Sequence, residues 1–277
     1  MDSVLIEALI KNFVNNSLEN SLRNGANDKA WGNPLVGFSS GDDPLYQFYK
    51  RDIGGFYWTP LDIFEKTFSD LKTTSDELTV ITWVLPHNSI TKSDSRRETL
   101  YPCERWARAR TYGEEFNVGL RKHLVKALEE LGHRALAPVL SPFWGTKVSE
   151  RYGLASPWSE RHAAYASGLG TFSLCDGLIT PVGKAMRCGS VIVHVKIPPT
   201  PRPYSKYRSY CLYSSRGTCG RCIERCPAGA IAKTGHDKAK CDAYLNITRD
   251  YVMSHFGFES YGCGLCQTDV PCESKIP

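Results

Sequence analysis

The segment Cys219-Gly-Arg-Cys222-Ile-Glu-Arg-Cys226-Pro227 places its cysteines at the spacing CxxCxxxCP. A tight loop of this kind lets successive thiolates converge on one iron-sulfur cubane, and it lets backbone N–H groups point at the cluster sulfurs. The cysteine that precedes proline begins a helix and reaches a second cluster. The segment therefore predicts two neighbouring 4Fe-4S sites in the C-terminal part of the chain.

Further cysteines surround this segment on both sides. Eight of the eleven cysteines lie after residue 200, and the spacing predicts that all eight are cluster ligands. Those outside the segment are Cys211, Cys241, Cys263, Cys266 and Cys272. The earlier cysteines, Cys103, Cys175 and Cys188, are isolated in the sequence and are predicted to be small buried hydrophobes.

The cysteine pattern departs from the usual run at two positions: Arg216 stands where the first ligand is expected, and Cys272 follows Pro271 instead of preceding a proline. We predict that Cys211 takes the place of this first ligand; otherwise the first cluster is a three-iron type or has a non-cysteine ligand. With the crossing typical of two-cluster proteins, the first group is Cys211, Cys219, Cys222 and Cys272. The second group is Cys226, Cys241, Cys263 and Cys266.

Structural zinc is the alternative interpretation of these cysteines, since two distant CxxC pairs are also typical of a zinc ribbon. The number of candidate thiols and the Cys226-Pro227 step favour iron-sulfur clusters instead.

Length and composition predict a large domain and a small one, since 277 residues with 42% hydrophobic content can bury a genuine core. The Pro-rich residues 197–204 cannot continue a helix or strand and are predicted to form the linker. The predicted organisation is an N-terminal helical or irregular region at 1–70, a cofactor or substrate domain at 71–200, and a two-cluster domain at 201–277.

The charge pattern does not indicate nucleic-acid binding, because a formal net charge of +5 is spread along the sequence. Residues 1–22 have apolar positions at helical spacing (Leu5, Ala8, Leu9 and Phe13), but they lack the continuous apolar core of a signal peptide. The longest apolar run, at 78–85, is shorter than the roughly 20 residues of a membrane helix. We therefore predict a cytoplasmic protein, in which clustered thiols are metal ligands more often than disulfide partners.

Helices and strands alternate before residue 200, which predicts an α/β or α+β fold. Residues 78–86 are predicted to form a buried strand, and residues 117–131 an amphipathic helix with its leucines on one face. The other predicted elements are an extended segment at 133–140, a helix at 159–167, and strands at 177–180 and 189–195.

The segment ERHAAYASGLGTFSLCDGLITP, at 160–181, is followed by GSVIV at 189–193 and then by the cysteine tail. This order resembles the superfamily of epoxyqueuosine reductases and reductive dehalogenases, which are cobalamin-dependent iron-sulfur enzymes. The resemblance runs from about Leu78 to Cys272 and does not cover the first 70 residues. It implies a nitroreductase-like domain that holds a corrinoid, followed by a bacterial-ferredoxin-like domain whose two 4Fe-4S clusters supply electrons.

The same resemblance implies a cofactor-binding loop after the predicted helix at 159–167. Glycine lets the backbone approach a bulky ring closely, and an ordinary helix C-cap is the alternative explanation. The candidate cofactor-binding residues are Gly168, Leu169, Gly170, Thr171 and Phe172.

The segment Tyr112-Gly-Glu-Glu-Phe-Asn117 resembles the YGRDYH segment of the queuosine enzymes, which includes their proton-donating acid. The resemblance implies Glu114 or Glu115 as a general acid and Tyr112 as a second proton-donor candidate. Alternatively, both glutamates are solvated residues in the first turn of a helix, and Tyr112 is a core tyrosine. The GWIGK segment of those enzymes is replaced by Gly170-Thr-Phe-Ser-Leu174 without its lysine, which favours a substrate other than epoxyqueuosine in tRNA.

The sequence thus predicts a cobalamin-dependent reductase of a small organic or corrinoid substrate. The implied partner is a low-potential electron donor of the ferredoxin or flavodoxin type. Two alternatives are an electron-transfer protein without a corrinoid and a flavin-dependent reductase with fused clusters. His162 and His194 are predicted to be structural, and residues 54–58 to line a substrate pocket or to pack in the core.

Overall fold

The computed structural model describes residues 2–277 as a mixed α/β fold. Its strands are β1 (Leu35–Ser40), β2 (Leu78–Pro86), β3 (Ala135–Leu136), β4 (Lys147–Ser149), β5 (Gly153–Ala155), β6 (Thr171–Phe172), β7 (Leu178–Ile179), β8 (Met186–His194), β9 (Ile231–Ala232) and β10 (Gly235–His236). Its α-helices are α1 (Ser3–Asn16), α2 (Pro44–Ile53), α3 (Pro60–Thr67), α4 (Ser89–Arg97), α5 (Glu104–Glu130), α6 (Glu160–Ala166), α7 (Leu212–Arg216), α8 (Arg221–Glu224) and α9 (Lys238–Phe256).

The largest sheet is antiparallel and has the strand order β1-β2-β8-β3. Every residue of β2 from Leu78 to Leu85 is buried, as expected of a strand covered on both faces. Alternate residues point to opposite sides: Val80 and Val84 belong to one core, whereas Ile81 and Trp83 belong to the other. Helices α2, α3 and α6 cover the first side, and α1 and α5 cover the second.

Helix α5 begins 13 residues before the start predicted from sequence, at Glu104 instead of residue 117. The missed half buries a face that includes Trp106, Ala109 and Gly113. Gly113 packs against the indole of Trp31, whose Nε1 donates a hydrogen bond to the Gly113 carbonyl over 2.9 Å. Small residues covered by a distant tryptophan do not produce an apolar period, so the pattern alone could not reveal this half.

Several predicted elements are present with small changes in their limits. The strand at 78–86 is β2 with the same bounds, the helix at 159–167 is α6, and the strand at 189–195 is part of β8. The N-terminal helix α1 is also present, but it buries Ile6, Ile10 and Val14, whereas Leu5, from the apolar set noted in the sequence, is 44% exposed.

The cysteine-rich part contains α7, α8, the β9–β10 hairpin and α9, and side chains join it to α4. The buried guanidinium of Arg225 donates to the carbonyls of Glu98 and Ser95, over 2.7 and 3.1 Å. Arg96 Nη2 donates a hydrogen bond to Glu273 Oε1 over 2.5 Å, and the two side chains form an ion pair. Within residues 2–277, no helix is long and apolar enough to cross a bilayer.

Gly189 of β8 stands opposite Trp83 of β2, and a Cβ atom at this position would collide with the fully buried indole. We expect Gly189→Ala to lower the free energy of unfolding by about 1–3 kcal/mol, the usual cost of overpacking. Thermal unfolding followed by circular dichroism measures the effect. Gly55→Ala is the matched control, since that position is exposed and has open space around it; equal melting temperatures for the two variants would contradict the packing argument.

Candidate functional site: two cysteine groups beside a charged cavity

The four cysteines predicted for the first cluster line one small cavity of about 20 Å³. Cys211 precedes α7, Cys222 lies in α8, and Cys219 lies in the loop between these helices. Cys272 comes from the C-terminal segment and completes the group. Cys211 therefore lies beside the other three cysteines, and its replacement of the ligand missing at Arg216 stays a prediction.

The four cysteines predicted for the second cluster line a neighbouring cavity of about 250 Å³. Cys226 follows α8, Cys241 lies in α9, and Cys263 and Cys266 lie in the loop after that helix. Gly264 in this loop has φ +68 and packs against Trp106 so closely that a Cβ atom cannot fit. The glycine therefore fixes the CxxC loop against α5.

A larger cavity of about 510 Å³ adjoins the second group. Its walls include Trp144 and Trp158 together with the charged side chains of Glu114, Glu160 and Arg161. Residues that line both this cavity and the second cysteine cavity are Arg161, Gly177, Met186, Arg187 and Gln267. The two spaces therefore share a wall between the sheet domain and the cysteine-rich part.

A four-residue ion-pair network crosses the floor of the larger cavity. The side chain of Arg121 is 3% exposed, and its Nη1 and Nη2 lie 3.1 and 3.0 Å from Glu114 Oε1 and Glu160 Oε1. Arg187 Nε donates to Glu114 Oε2 over 2.5 Å. Burial raises the pKa of Glu114, but the charges and hydrogen bonds of Arg187 and Arg121 outweigh it and lower the pKa below its ordinary value. The carboxyl group is therefore ionised at neutral pH.

The structure separates the three proton-donor candidates. Glu114 lines the larger cavity, whereas Glu115 points away and pairs with Arg23 at the surface, where both side chains are about half exposed. Tyr112 packs beside Phe258, with the guanidinium of Arg23 over its ring. Both glutamates lie in the middle of α5, so the alternative that placed them in a first helical turn is wrong.

The glycine loop after α6 is packed into the protein interior. Gly168 has φ +78, as expected of a glycine that ends a helix, and a Cβ on Gly170 would collide with the Ile179 carbonyl. Leu169 belongs to the core, while Phe172 stacks on Tyr207 with ring centroids 4.4 Å apart. None of the five candidate residues at 168–172, all of them described, lines either of the two larger cavities.

Cys175 is the cysteine whose position the sequence did not reveal. It is 4% exposed, lines the second cysteine cavity and lies against Cys222 and Cys266, one from each group. Cys103 is buried near the Thr91 carbonyl, and Cys188 lines the larger cavity. The sequence carries no signal for Cys175, because only the fold brings residue 175 to the tail.

The remaining sequence candidates have packing roles. His162 is half-buried among Tyr49, Tyr57 and Phe172, and desolvation lowers its pKa to about 3, so the ring is neutral. Tyr57, from the aromatic segment at 54–58, is 1% exposed and belongs to the core.

Comparisons with known proteins agree with this architecture. No protein-family model matches the chain. The epoxyqueuosine reductase of Bacillus anthracis is 31% identical over 119 residues, which are 41% of this chain and 29% of that protein. An uncharacterized protein of Geobacillus stearothermophilus is 30% identical over 94 residues, covering 32% of this chain and 39% of that protein. The matched regions are thus well under half of these curated relatives.

Two solved structures share the fold. A catabolic reductive dehalogenase in complex with 3-bromo-4-hydroxybenzoic acid has a TM-score of 0.51 and 15% identity, over 99% of this chain and 37% of that one. An epoxyqueuosine reductase with an epoxyqueuosine-modified tRNA stem loop has a TM-score of 0.50 and 19% identity, over 86% and 61%. The fold is therefore the one that these two classes of reductase share. Over the matched residues the chain is thus similar to epoxyqueuosine reductases, and its fold resembles that of both classes of reductase.

Proposed function

We propose that this chain is an iron-sulfur oxidoreductase that uses cobalamin to reduce a small organic or corrinoid substrate. The observation that carries the proposal is the juxtaposition of two four-cysteine groups, the second of which shares a wall with a cavity lined by charged and aromatic residues. Electrons entering at the first group would pass to the second and then to the cavity. Fold and family leave the substrate open, because function belongs to the site and not to the fold.

The donor set of each cysteine group fits a 4Fe-4S cluster, which is held by four thiolates. Among residues 2–277, no group of three or more His, Cys, Asp or Glu side chains has the arrangement of a single-ion site. A cubane has its irons at four separate corners, so its ligands need not converge on one point. The CxxCxxxCP spacing and the eight candidate thiols are what support clusters over the zinc site considered from sequence.

We propose that the cavity of about 510 Å³ receives part of a bulky ring-shaped cofactor, beside the 250 Å³ cavity that would hold the second cluster. Trp144, Trp158 and Met186 offer apolar surface, and Arg161 and Arg187 offer hydrogen-bond donors for the polar side chains of a corrinoid. When bound, the cofactor supplies a low-valent cobalt centre as the reductant. The glycine loop at 168–172 supports the wall from behind, and we propose this indirect role for it.

Glu114 is the proposed catalytic candidate that lines the cavity, with Arg187 as its partner. Because the carboxyl group is ionised, it accepts hydrogen bonds from a substrate and orients it, and it is a poor proton donor at neutral pH. Glu115 and Tyr112 lie outside the cavity and are not needed for this role.

The proposed electron donor is a low-potential protein of the ferredoxin or flavodoxin type. Cys219 of the first group lines an open surface pocket together with Arg96 and Arg221, whose side chains are about half exposed. This pocket gives such a donor access to the first group. One structural neighbour, of which this chain covers 61%, was solved with a tRNA stem loop. RNA should therefore be tested as a substrate alongside small molecules.

We expect anaerobic reconstitution with iron, sulfide and cobalamin to give about eight irons and one cobalt per chain. Metal and sulfide analysis after gel filtration, together with an absorption spectrum, measures this result. Iron without cobalt would favour the electron carrier, bound flavin would favour the flavin-dependent reductase, and zinc in place of iron would overturn the cluster assignment.

Glu114→Gln is expected to keep its metals and lose turnover, with Glu115→Gln as the matched control.

A further inference from the structure

Lys184 is a buried cation without a carboxylate partner. Its side chain is 1% exposed, and no salt bridge among residues 2–277 includes it. Lys184 Nζ donates a hydrogen bond to Cys175, whose Sγ lies 3.2 Å away. A buried ammonium group is costly unless negative charge lies nearby, and the groups whose charges act on Lys184 are the thiols of Cys175, Cys272, Cys266 and Cys222.

Lys184 and Cys175 together lie between the two cysteine groups. Lys184 lines the first cavity with Cys211, Cys219, Cys222 and Cys272. Cys175 lines the second cavity and lies against Cys222 of the first group and Cys266 of the second. Lys184 and Ser173, which both line the first cavity, lie within hydrogen-bonding distance of Cys175, which lines the second.

The backbone and a neighbouring glycine fix Lys184 in this position. Its N–H donates to the carbonyls of Cys272 and Glu273, over 2.8 and 3.0 Å. A Cβ atom on Gly177 would stand 2.7 Å from Lys184 Cδ, so the glycine leaves the space that the lysine stem occupies. Ser173 Oγ lies 3.3 Å from Cys175 Sγ on the other side.

A cubane held by four thiolates is an anion, and each electron that it accepts adds a further negative charge. Net charge around a cluster and hydrogen bonds to its sulfurs set its reduction potential. A fixed cation between two such anions stabilises their reduced forms more than their oxidised forms, and it weakens the repulsion between them.

We propose that Lys184, held in place by Cys175, is the shared counter-ion of the two clusters and raises the reduction potential of both. This inference rests on the proposed function, because it requires that both clusters are present. In this proposal Cys175 is a positioning residue that holds Lys184 in place. Its side chain contacts Cys222 and Cys266 but is not a ninth cluster ligand.

The test is a potentiometric titration of the reconstituted protein, followed by electron paramagnetic resonance, for wild type and Lys184→Met. Methionine keeps most of the buried volume and removes the charge. Both midpoint potentials are expected to shift to more negative values at unchanged iron content. The control is Lys275→Met, an exposed lysine at the surface pocket beside Cys219, which is expected to shift neither potential because solvent screens it.

Cys175→Ala provides a second, independent measurement if Lys184→Met fails to fold. This variant is expected to keep about eight irons and to shift both potentials in the same direction by a smaller amount. Loss of about half the iron from Cys175→Ala would make Cys175 a ligand and overturn the inference, as would unchanged potentials in Lys184→Met. A wild-type chain without two clusters would overturn the proposed function as well, which distinguishes the two failures.

Discussion

The double variant Cys211→Ala/Cys226→Ala is expected to lose nearly all of its cluster iron, whereas Cys211→Ala/Cys222→Ala is expected to retain about half. The reason is that Cys211 and Cys222 line one cavity and Cys226 lines the other, so the first pair of substitutions damages both clusters and the second pair only one. Iron and sulfide analysis after anaerobic reconstitution gives the retained fraction directly. This difference is the largest effect that we predict.

The informative comparison is with the single variant Cys226→Ala, which is expected to keep the first cluster. If adding Cys211→Ala to it removes no further iron, Cys211 is not a ligand, and a three-iron cluster or a non-cysteine ligand must replace it. Cys103→Ala serves as the control, because Cys103 is buried near the Thr91 carbonyl and lines neither cysteine cavity.

Arg121→Met is expected to lower the free energy of unfolding by about 3–5 kcal/mol, the cost of breaking a buried ion pair on one side. The substitution leaves Glu114 with Arg187 alone and removes the guanidinium from Glu160, whose side chain is 15% exposed. Urea unfolding under anaerobic conditions, monitored by tryptophan fluorescence, measures the change. The midpoint is expected to fall while the slope stays constant.

The control for this second prediction is Arg23→Met, which removes the partner of the adjacent glutamate, Glu115. That pair is exposed, with 56% and 51% of the two side chains accessible, and such pairs contribute about 0–1 kcal/mol. Equal losses in the two variants would show that the buried network does not stabilise the fold.

The sequence predicted the two cysteine groups, because metal-ligating cysteines occur at characteristic spacings. The CxxCxxxCP segment and the outlying cysteines allowed two groups to be assigned, and the structure places each assigned set around its own cavity. The buried strand at 78–86 could also be predicted from the sequence, because a strand covered on both faces is continuously apolar. Whether the cysteines hold clusters stays a prediction.

What sequence could not predict depends on contacts between distant segments. Cys175 reaches the tail only through the folded loop after α6, and the early half of α5 buries small residues under Trp31. The ionised state of Glu114 depends on Arg187, which is 73 positions away on β8. Resemblance assigned the loop at 168–172 to the cofactor, which stays a prediction; nothing in the sequence indicated that Gly170 packs against Ile179 and that Phe172 stacks on Tyr207.

The order of the cysteines along the chain has a consequence for assembly. The second group, from Cys226 to Cys266, is nested inside the span of the first, from Cys211 to Cys272. An inner cluster that forms first ties Cys226 to Cys266, so the path from Cys222 to Cys272 shrinks from 50 positions to roughly ten. Since closure entropy grows with the logarithm of loop length, this lowers the cost of the outer closure by about 1 kcal/mol. A similar saving applies if the outer group closes first, so in the proposed two-cluster protein the nested order makes closure of the two groups cooperative.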